Sequence, residues 1–190
     1  MAFKNHLPNH AFVSLIYGCG IRIGKTSIVK ELINNIESDN IIIISGTYDD
    51  WLGYTVFSDY DIEFINAWLR SSKRRKILVL DDFLHIDLAH GRIAKHFASI
   101  IANCRHENYN CNVIISTHML NQGKSMKVLP SVFMFLSINE DSEHIISSYM
   151  PEYKTLLPRI KQILHKKKFS FLMLTRFGEW RIMKLNINSQ

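Results

Sequence analysis

A chain of 190 residues with 47% hydrophobic and 21% charged residues is enough for one globular domain, with a core that needs no metal or disulfide staple. Its three cysteines, odd in number and without a CxxC pair, argue against a disulfide framework and for free thiols in a reducing compartment. No apolar run suits a membrane span or a signal peptide, and a net charge of +6 permits a polyanionic partner without requiring one.

The first predicted element is a strand over Phe12-Val13-Ser14-Leu15-Ile16-Tyr17, followed by a loop, Gly24-Lys25-Thr26 and a helix through Ile28-Val29-Lys30-Glu31-Leu32-Ile33. This is the layout of a nucleotide-phosphate cradle. Backbone N–H groups at the helix start face the anion, Lys25 reaches the outer phosphates of ATP, and the Thr26 hydroxyl would ligate Mg²⁺. The cradle comprises Cys19, Gly20, Ile21, Arg22, Ile23, Gly24, Lys25, Thr26 and Ser27. The usual pattern has glycine where Cys19 stands; Gly18 and Gly20 flank it, and cysteine is small but more restricted in φ. The alternative is a helix N-terminus that happens to carry Lys-Thr. No adenine-reading motif is evident, so ATP against GTP stays open.

Ile41-Ile42-Ile43-Ile44-Ser45 reads as a parallel strand buried on both faces. Residues 46–60 look irregular and aromatic, and Ile62, Ile65 and Leu69 share one helix face. The next strand, Ile77-Leu78-Val79-Leu80, ends in Asp81-Asp82. Asp81 is placed to hold Mg²⁺ opposite Thr26, and Asp82 to orient or deprotonate the attacking water. The alternative is a carboxylate pair capping a turn. A helix through Ile93, Phe97, Ile100 and Ile101 leads to Asn103-Cys104-Arg105-His106-Glu107-Asn108. Arg105 could act in its own subunit, reach a neighbour's nucleotide as an arginine finger, or simply end a helix at the surface.

Val113-Ile114-Ile115-Ser116 continues into Thr117-His118. If this strand lies between those of the loop and the acidic pair, His118 or Thr117 would touch the γ-phosphate; otherwise the histidine faces solvent. Val132–Leu136 is a further strand. A helical stretch broken by Pro151 and Pro158 follows, then strands Phe169–Leu174 and Trp180–Leu185 joined as a hairpin over Arg176-Phe177-Gly178-Glu179. The basic clusters Lys73-Arg74-Arg75-Lys76 and Lys166-Lys167-Lys168 read as solvated connectors rather than DNA contacts. Without repeats or linkers, residues 1–190 form a single α/β domain with a mainly parallel central sheet flanked by helices, whose ligands bind at the carboxyl ends of the strands.

Taken together, Gly24-Lys25-Thr26, Ile77–Asp82, Asn103-Cys104-Arg105-His106 and Val113–His118 resemble the FtsK–HerA superfamily of P-loop ATPases, a RecA/ASCE-like fold. Within it the chain is similar to the genome-packaging ATPases of double-jelly-roll viruses, of the compact archaeal-virus or poxvirus-like type. The resemblance implies nucleotide binding by Lys25 and Thr26, magnesium binding by Asp81, an acidic catalytic role for Asp82 and a trans-acting finger in Arg105. It also implies a ring, usually hexameric, that drives double-stranded DNA into a preformed capsid, with capsid vertex proteins as partners. Its place would be the cytoplasm of an infected host cell or the virion. Two departures are Cys19 for the first loop glycine and His118 for the sensor glutamine; the second would make coupling pH-sensitive near neutrality. With no DNA-reading module present, loops at 46–60 and 119–130, the latter with Lys124 and Lys127, are the expected phosphate contacts. A small P-loop kinase is the competing reading, weakened because Arg159, Arg176 and Arg181 are too scattered for a lid. A non-catalytic nucleotide-gated assembly factor is the third.

Overall fold

The computed structural model describes residues 6–19, 23–47, 51, 53–82, 90–120 and 130–185. In chain order the elements are β1 (Val13–Tyr17), α1 (Lys25–Asn35), β2 (Asn40–Ser45), β3 (Val56–Phe57), α2 (Ile62–Arg70), β4 (Lys76–Asp81) and α3 (Gly91–Asn103). They continue with β5 (Cys111–Thr117), β6 (Val132–Phe135), α4 (Glu140–Tyr149), α5 (Tyr153–Lys166), β7 (Ser170–Thr175) and β8 (Trp180–Lys184).

The strands form one sheet in the order β3-β2-β4-β5-β1-β6-β7-β8. From β3 to β6 every pairing is parallel, whereas β7 and β8 join antiparallel. β1, β4 and β5 are buried along their whole length, and their β-branched and leucine side chains pack against helices on both faces. One core cluster gathers Leu15, Leu80 and Ile115 with Phe97 and Ile146; the other gathers Ile16, Val79 and Ile114 with Ile28 and Leu32. β5 lies between β1 and β4, the position that brings the end of β5 beside the start of α1. Among the described residues, no helix is long and apolar enough to cross a membrane.

Four expectations need correction. The stretch 46–60 is not wholly irregular: β3 pairs with β2, and Trp51 and Tyr60 are buried. Of the two prolines, Pro151 separates α4 from α5, but Pro158 lies inside α5 on its exposed side. There it removes one backbone donor without ending the helix. The cluster 73–76 is not simply solvated, since Lys76 is fully buried and donates to the carbonyls of Ser72, Arg74 and Tyr109. Arg75 reaches the His10 carbonyl over 3.1 Å. Finally, Phe169 precedes β7 in a left-handed turn rather than opening the strand.

Candidate active site

Parallel pairing with Tyr17 opposite Thr117 and Asp81 opposite Ser116 brings the ends of β1, β4 and β5 to the same edge of the sheet. The chain leaves β1 at Gly18, whose missing side chain matters: a Cβ there would lie 2.3 Å from Ile23 Cδ1 and 3.2 Å from Leu136 Cβ. It enters α1 through Gly24 at φ 101°, a left-handed position suited to glycine. The α1 N–H groups are thereby turned towards the same edge, as an anion cradle requires. Gly20, Ile21 and Arg22 lie outside the described residues. Cys19 does not adopt a positive φ; among the described non-glycine residues that region holds Asp82, Asn110 and Phe169. Its Sγ lies 2.8 Å from the Tyr17 hydroxyl, and its N–H donates to Ser137 Oγ over 2.8 Å.

Lys25, only 6% exposed, does not point away into solvent. Its Nζ lies 2.9 Å from both ring nitrogens of His118 and 3.9 Å from Asp82 Oδ2, while His118 Nε2 lies 2.9 Å from the same carboxylate oxygen. An ammonium only donates and a carboxylate only accepts. A neutral His118 therefore carries its proton on Nε2, towards Asp82, and accepts from Lys25 on Nδ1. The Gly18 carbonyl, 3.2 Å from Nδ1, is the acceptor for that nitrogen when the ring is charged. Burial lowers the Lys25 pKa, opposed by the charges of Asp82 and Asp81. Asp82 itself is held at φ 48°, with its N–H on the Ser116 carbonyl at 3.2 Å.

Asp81 is 1% exposed. Its Oδ2 accepts from the Trp51 indole over 3.2 Å and, more distantly, from the Thr26 hydroxyl at 3.5 Å. Burial pushes its pKa up; the Ser116 hydroxyl is the largest opposing influence, close enough to favour the charged form without making a well-formed hydrogen bond. Asp81 Oδ1 is buried and has no hydrogen-bond partner among the described residues. An orphaned carboxylate oxygen beside a threonine hydroxyl is hard-oxygen chemistry that suits Mg²⁺. Trp51 is the residue that sequence reasoning missed: it came from a stretch with no hydrophobic period, and its signal was no more than a lone large aromatic in an irregular segment.

The site thus brings together Lys25, Thr26, Asp81, Asp82 and His118. Ile23 lies just before the helix and Ser27 in its first turn, but Arg105 lies elsewhere. It follows α3 at the amino edge of the sheet, where its guanidinium donates to Ser131 Oγ over 3.1 Å. β5 rises about 3.3 Å per residue, so its seven residues separate Arg105 from the carboxyl edge by roughly 20 Å. Arg105 borders a cleft of about 420 Å³ lined also by His10, Trp180 and Arg181, away from the phosphate loop. Residues 48–50, 52 and 121–129, including Lys124 and Lys127, lie outside the described residues.

A helix entered from β1 through a left-handed glycine, with β5 between β1 and the acidic strand β4, is an arrangement shared with known nucleotide-binding structures. The genome packaging NTPase B204 of Sulfolobus turreted icosahedral virus 2, in complex with AMP, matches over 93% of this chain and 98% of its own, at 15% identity and a TM-score of 0.67. The fold is that of the P-loop ATPases. The pCW3 conjugation coupling protein TcpA with ATPγS matches over 93% of this chain and 60% of its own, at 11% identity and a TM-score of 0.66. The cytoplasmic domain of the Thermomonospora curvata type VII secretion ATPase EccC matches over all of this chain and 25% of its own, at 12% identity and a TM-score of 0.59. No protein-family model matches the chain, and no curated protein matches it in sequence.

Proposed function

We propose that this chain is an ATP-hydrolysing motor that moves viral double-stranded DNA into a preformed capsid. The observation that carries the reading is the convergence of Lys25, Thr26, Asp81, Asp82 and His118 on one sheet edge beside the amino end of α1. Full-length similarity of fold to a viral genome packaging NTPase supports the packaging part.

In this reading the phosphates of ATP sit on the N–H groups at the start of α1, and the Lys25 ammonium exchanges its contacts with His118 and Asp82 for the outer phosphates. Thr26 and Asp81 would hold Mg²⁺, which neutralises phosphate charge when bound. Asp82, 32% exposed, is the carboxylate that water reaches, and it orients the attacking water or takes its proton. His118 bridges Lys25 and Asp82, so it reports whether a phosphate has displaced the lysine. Arg105 cannot serve its own site across the sheet; it acts on the neighbour's nucleotide in a homo-oligomeric ring, proposed as a hexamer. DNA is held through its phosphates, independently of sequence and sensitively to salt. Capsid vertex proteins complete the partners, and the setting is the infected cell or the virion.

The test is the ATPase rate over a range of protein concentrations, with and without double-stranded DNA. The rate is expected to rise with both and to vanish in Lys25→Ala. Mixing inactive Lys25→Ala with inactive Arg105→Ala should restore part of it, because each supplies what the other lacks. A rate indifferent to concentration and DNA, together with phosphate transfer to a small acceptor, would replace the motor by a kinase.

A further inference from the structure

A nucleotide bound at this site has a direction. The groups read as facing the terminal phosphate and metal, Asp81, Asp82 and His118, stand at the carboxyl ends of β4 and β5, on one side of β1 in the sheet. A triphosphate that begins there and crosses the amino end of α1 carries its nucleoside to the other side of β1, where β6, β7 and β8 lie. Three side chains face Gly24 from that side. A Cβ built on Gly24 would stand 3.5 Å from Phe169 Cδ1, 3.7 Å from Leu185 Cδ1 and 3.8 Å from Leu136 Cδ2.

Phe169 is not there to fill the core. It is 38% exposed and belongs to neither core cluster. It occupies the third position of a turn closed by the Ser170 N–H on the Lys167 carbonyl at 3.1 Å, with a φ of 62°. Glycine or asparagine is the usual occupant of such a position, because a bulky side chain is strained in it. Its carbonyl accepts from the Leu185 N–H over 3.0 Å, which ties the turn to the chain just after β8. The backbone is therefore fixed, and a costly residue keeps an aromatic ring at the solvent boundary beside the phosphate loop. Glycine would serve the turn without that strain, whereas a flat heterocycle stacks on such a ring.

We propose that Phe169 is the nucleobase platform of this site, a specificity residue on which the base of the bound nucleoside triphosphate stacks, with Leu136 and Leu185 beside it. The proposal rests on the phosphate-loop reading of Gly24–Ser27. Every base has a π-face, so the platform favours a nucleotide over a bare polyphosphate and does not by itself separate adenine from guanine.

The experiment is calorimetric binding of ATP and of inorganic triphosphate to the full chain, in wild type, Phe169→Gly, Phe169→Trp and Lys25→Ala. Wild type should bind ATP about tenfold or more tighter than triphosphate, from the usual worth of one stacked base. Phe169→Gly relieves the strained φ, so the fold is retained; it should erase that preference and leave triphosphate affinity unchanged. Phe169→Trp should keep the preference and show an added fluorescence quench with ATP but not with triphosphate. If triphosphate binding depends on Lys25 yet Phe169→Gly keeps the wild-type ratio, or weakens both ligands equally, the platform is overturned and the phosphate loop stands. Triphosphate binding that Lys25→Ala leaves intact overturns both.

Discussion

Replacing Trp51 with phenylalanine isolates the one indole N–H that holds the end of β4. Trp51 is 1% exposed and donates to Asp81 Oδ2 over 3.2 Å. Phenylalanine keeps most of the packing but leaves that oxygen with the Thr26 hydroxyl at 3.5 Å. A hydrogen bond to a charged group is worth about 1.5–3 kcal/mol. The void left by the smaller ring adds roughly 1 kcal/mol, and the Lys30 ammonium, 5.5 Å from the indole centroid, loses a few tenths more. The expected loss in denaturant unfolding is therefore about 3 kcal/mol near neutral pH.

The pH dependence tells orientation from packing. Burial is the largest influence raising Asp81 above its ordinary pKa of 3.8, and the indole opposes it. In the window above 3.8 the folded protein holds a proton that the unfolded chain has released, so stability falls as pH rises through that window. Removing the indole extends the window upward. The loss in Trp51→Phe should then be larger at a pH well above 3.8 than at a pH close to it. As Asp81 is the proposed metal ligand, losing its orienting partner should also raise the Mg²⁺ requirement for nucleotide binding by about 10–100-fold. Equal losses at both pH values with an unchanged Mg²⁺ titration would refute the reasoning, because the indole would then only pack.

Gly24→Ala forces an L-residue to φ 101° and should cost about 1–2 kcal/mol in thermal or chemical unfolding, together with nucleotide affinity, since it tilts the first turn of α1. Gly18→Ala meets Leu136 Cβ at 3.2 Å and should weaken nucleotide binding more than it weakens the fold, measured by the two assays side by side. His96 lies between the Tyr60 hydroxyl at 3.1 Å and Asn66 Oδ1 at 2.9 Å, and burial, with Arg92 as a lesser cause, lowers its pKa below 6.5. The unfolded chain takes that proton first as pH falls through 6.5, so stability should drop on acidification there, and His96→Gln should flatten the drop.

Much of this was legible in the sequence because two periodicities are strong. The runs Ile41–Ile44, Ile77–Leu80 and Val113–Ile115 are too short and too β-branched for helices, and each later forms a strand buried in the sheet. Lys25, Asp82 and His118, far apart in the chain, are brought together simply because parallel strands end at one edge. What stayed hidden depends on closure of the tertiary structure. Lys76 reads as one more charge in a basic run until the Tyr109 carbonyl and the turn after α2 fold over it. Trp51 has no periodic partners, and its role appears when its indole reaches the end of β4. Phe169 reads as the first apolar residue of a strand, because hydropathy carries no information about the sign of φ.

The separation of Arg105 from Lys25 argues for what kind of assembly the proposed motor requires. α3 runs back from the carboxyl edge to the amino edge, and β5 returns the chain, so the arginine cannot slide towards its own nucleotide without unravelling one or the other. An isologous dimer whose twofold axis passes through the carboxyl edge would bring like edges of the sheet together and leave each site without a guanidinium from its partner's amino edge. A heterologous contact, carboxyl edge against amino edge, brings Arg105 of one subunit to the phosphates of the next and closes into a ring when the rotation permits. The complementation of Lys25→Ala by Arg105→Ala therefore reads geometry as well as chemistry. Recovery requires mixed rings in which an intact site faces an intact arginine across a subunit boundary, and a chain that worked as a monomer would show none.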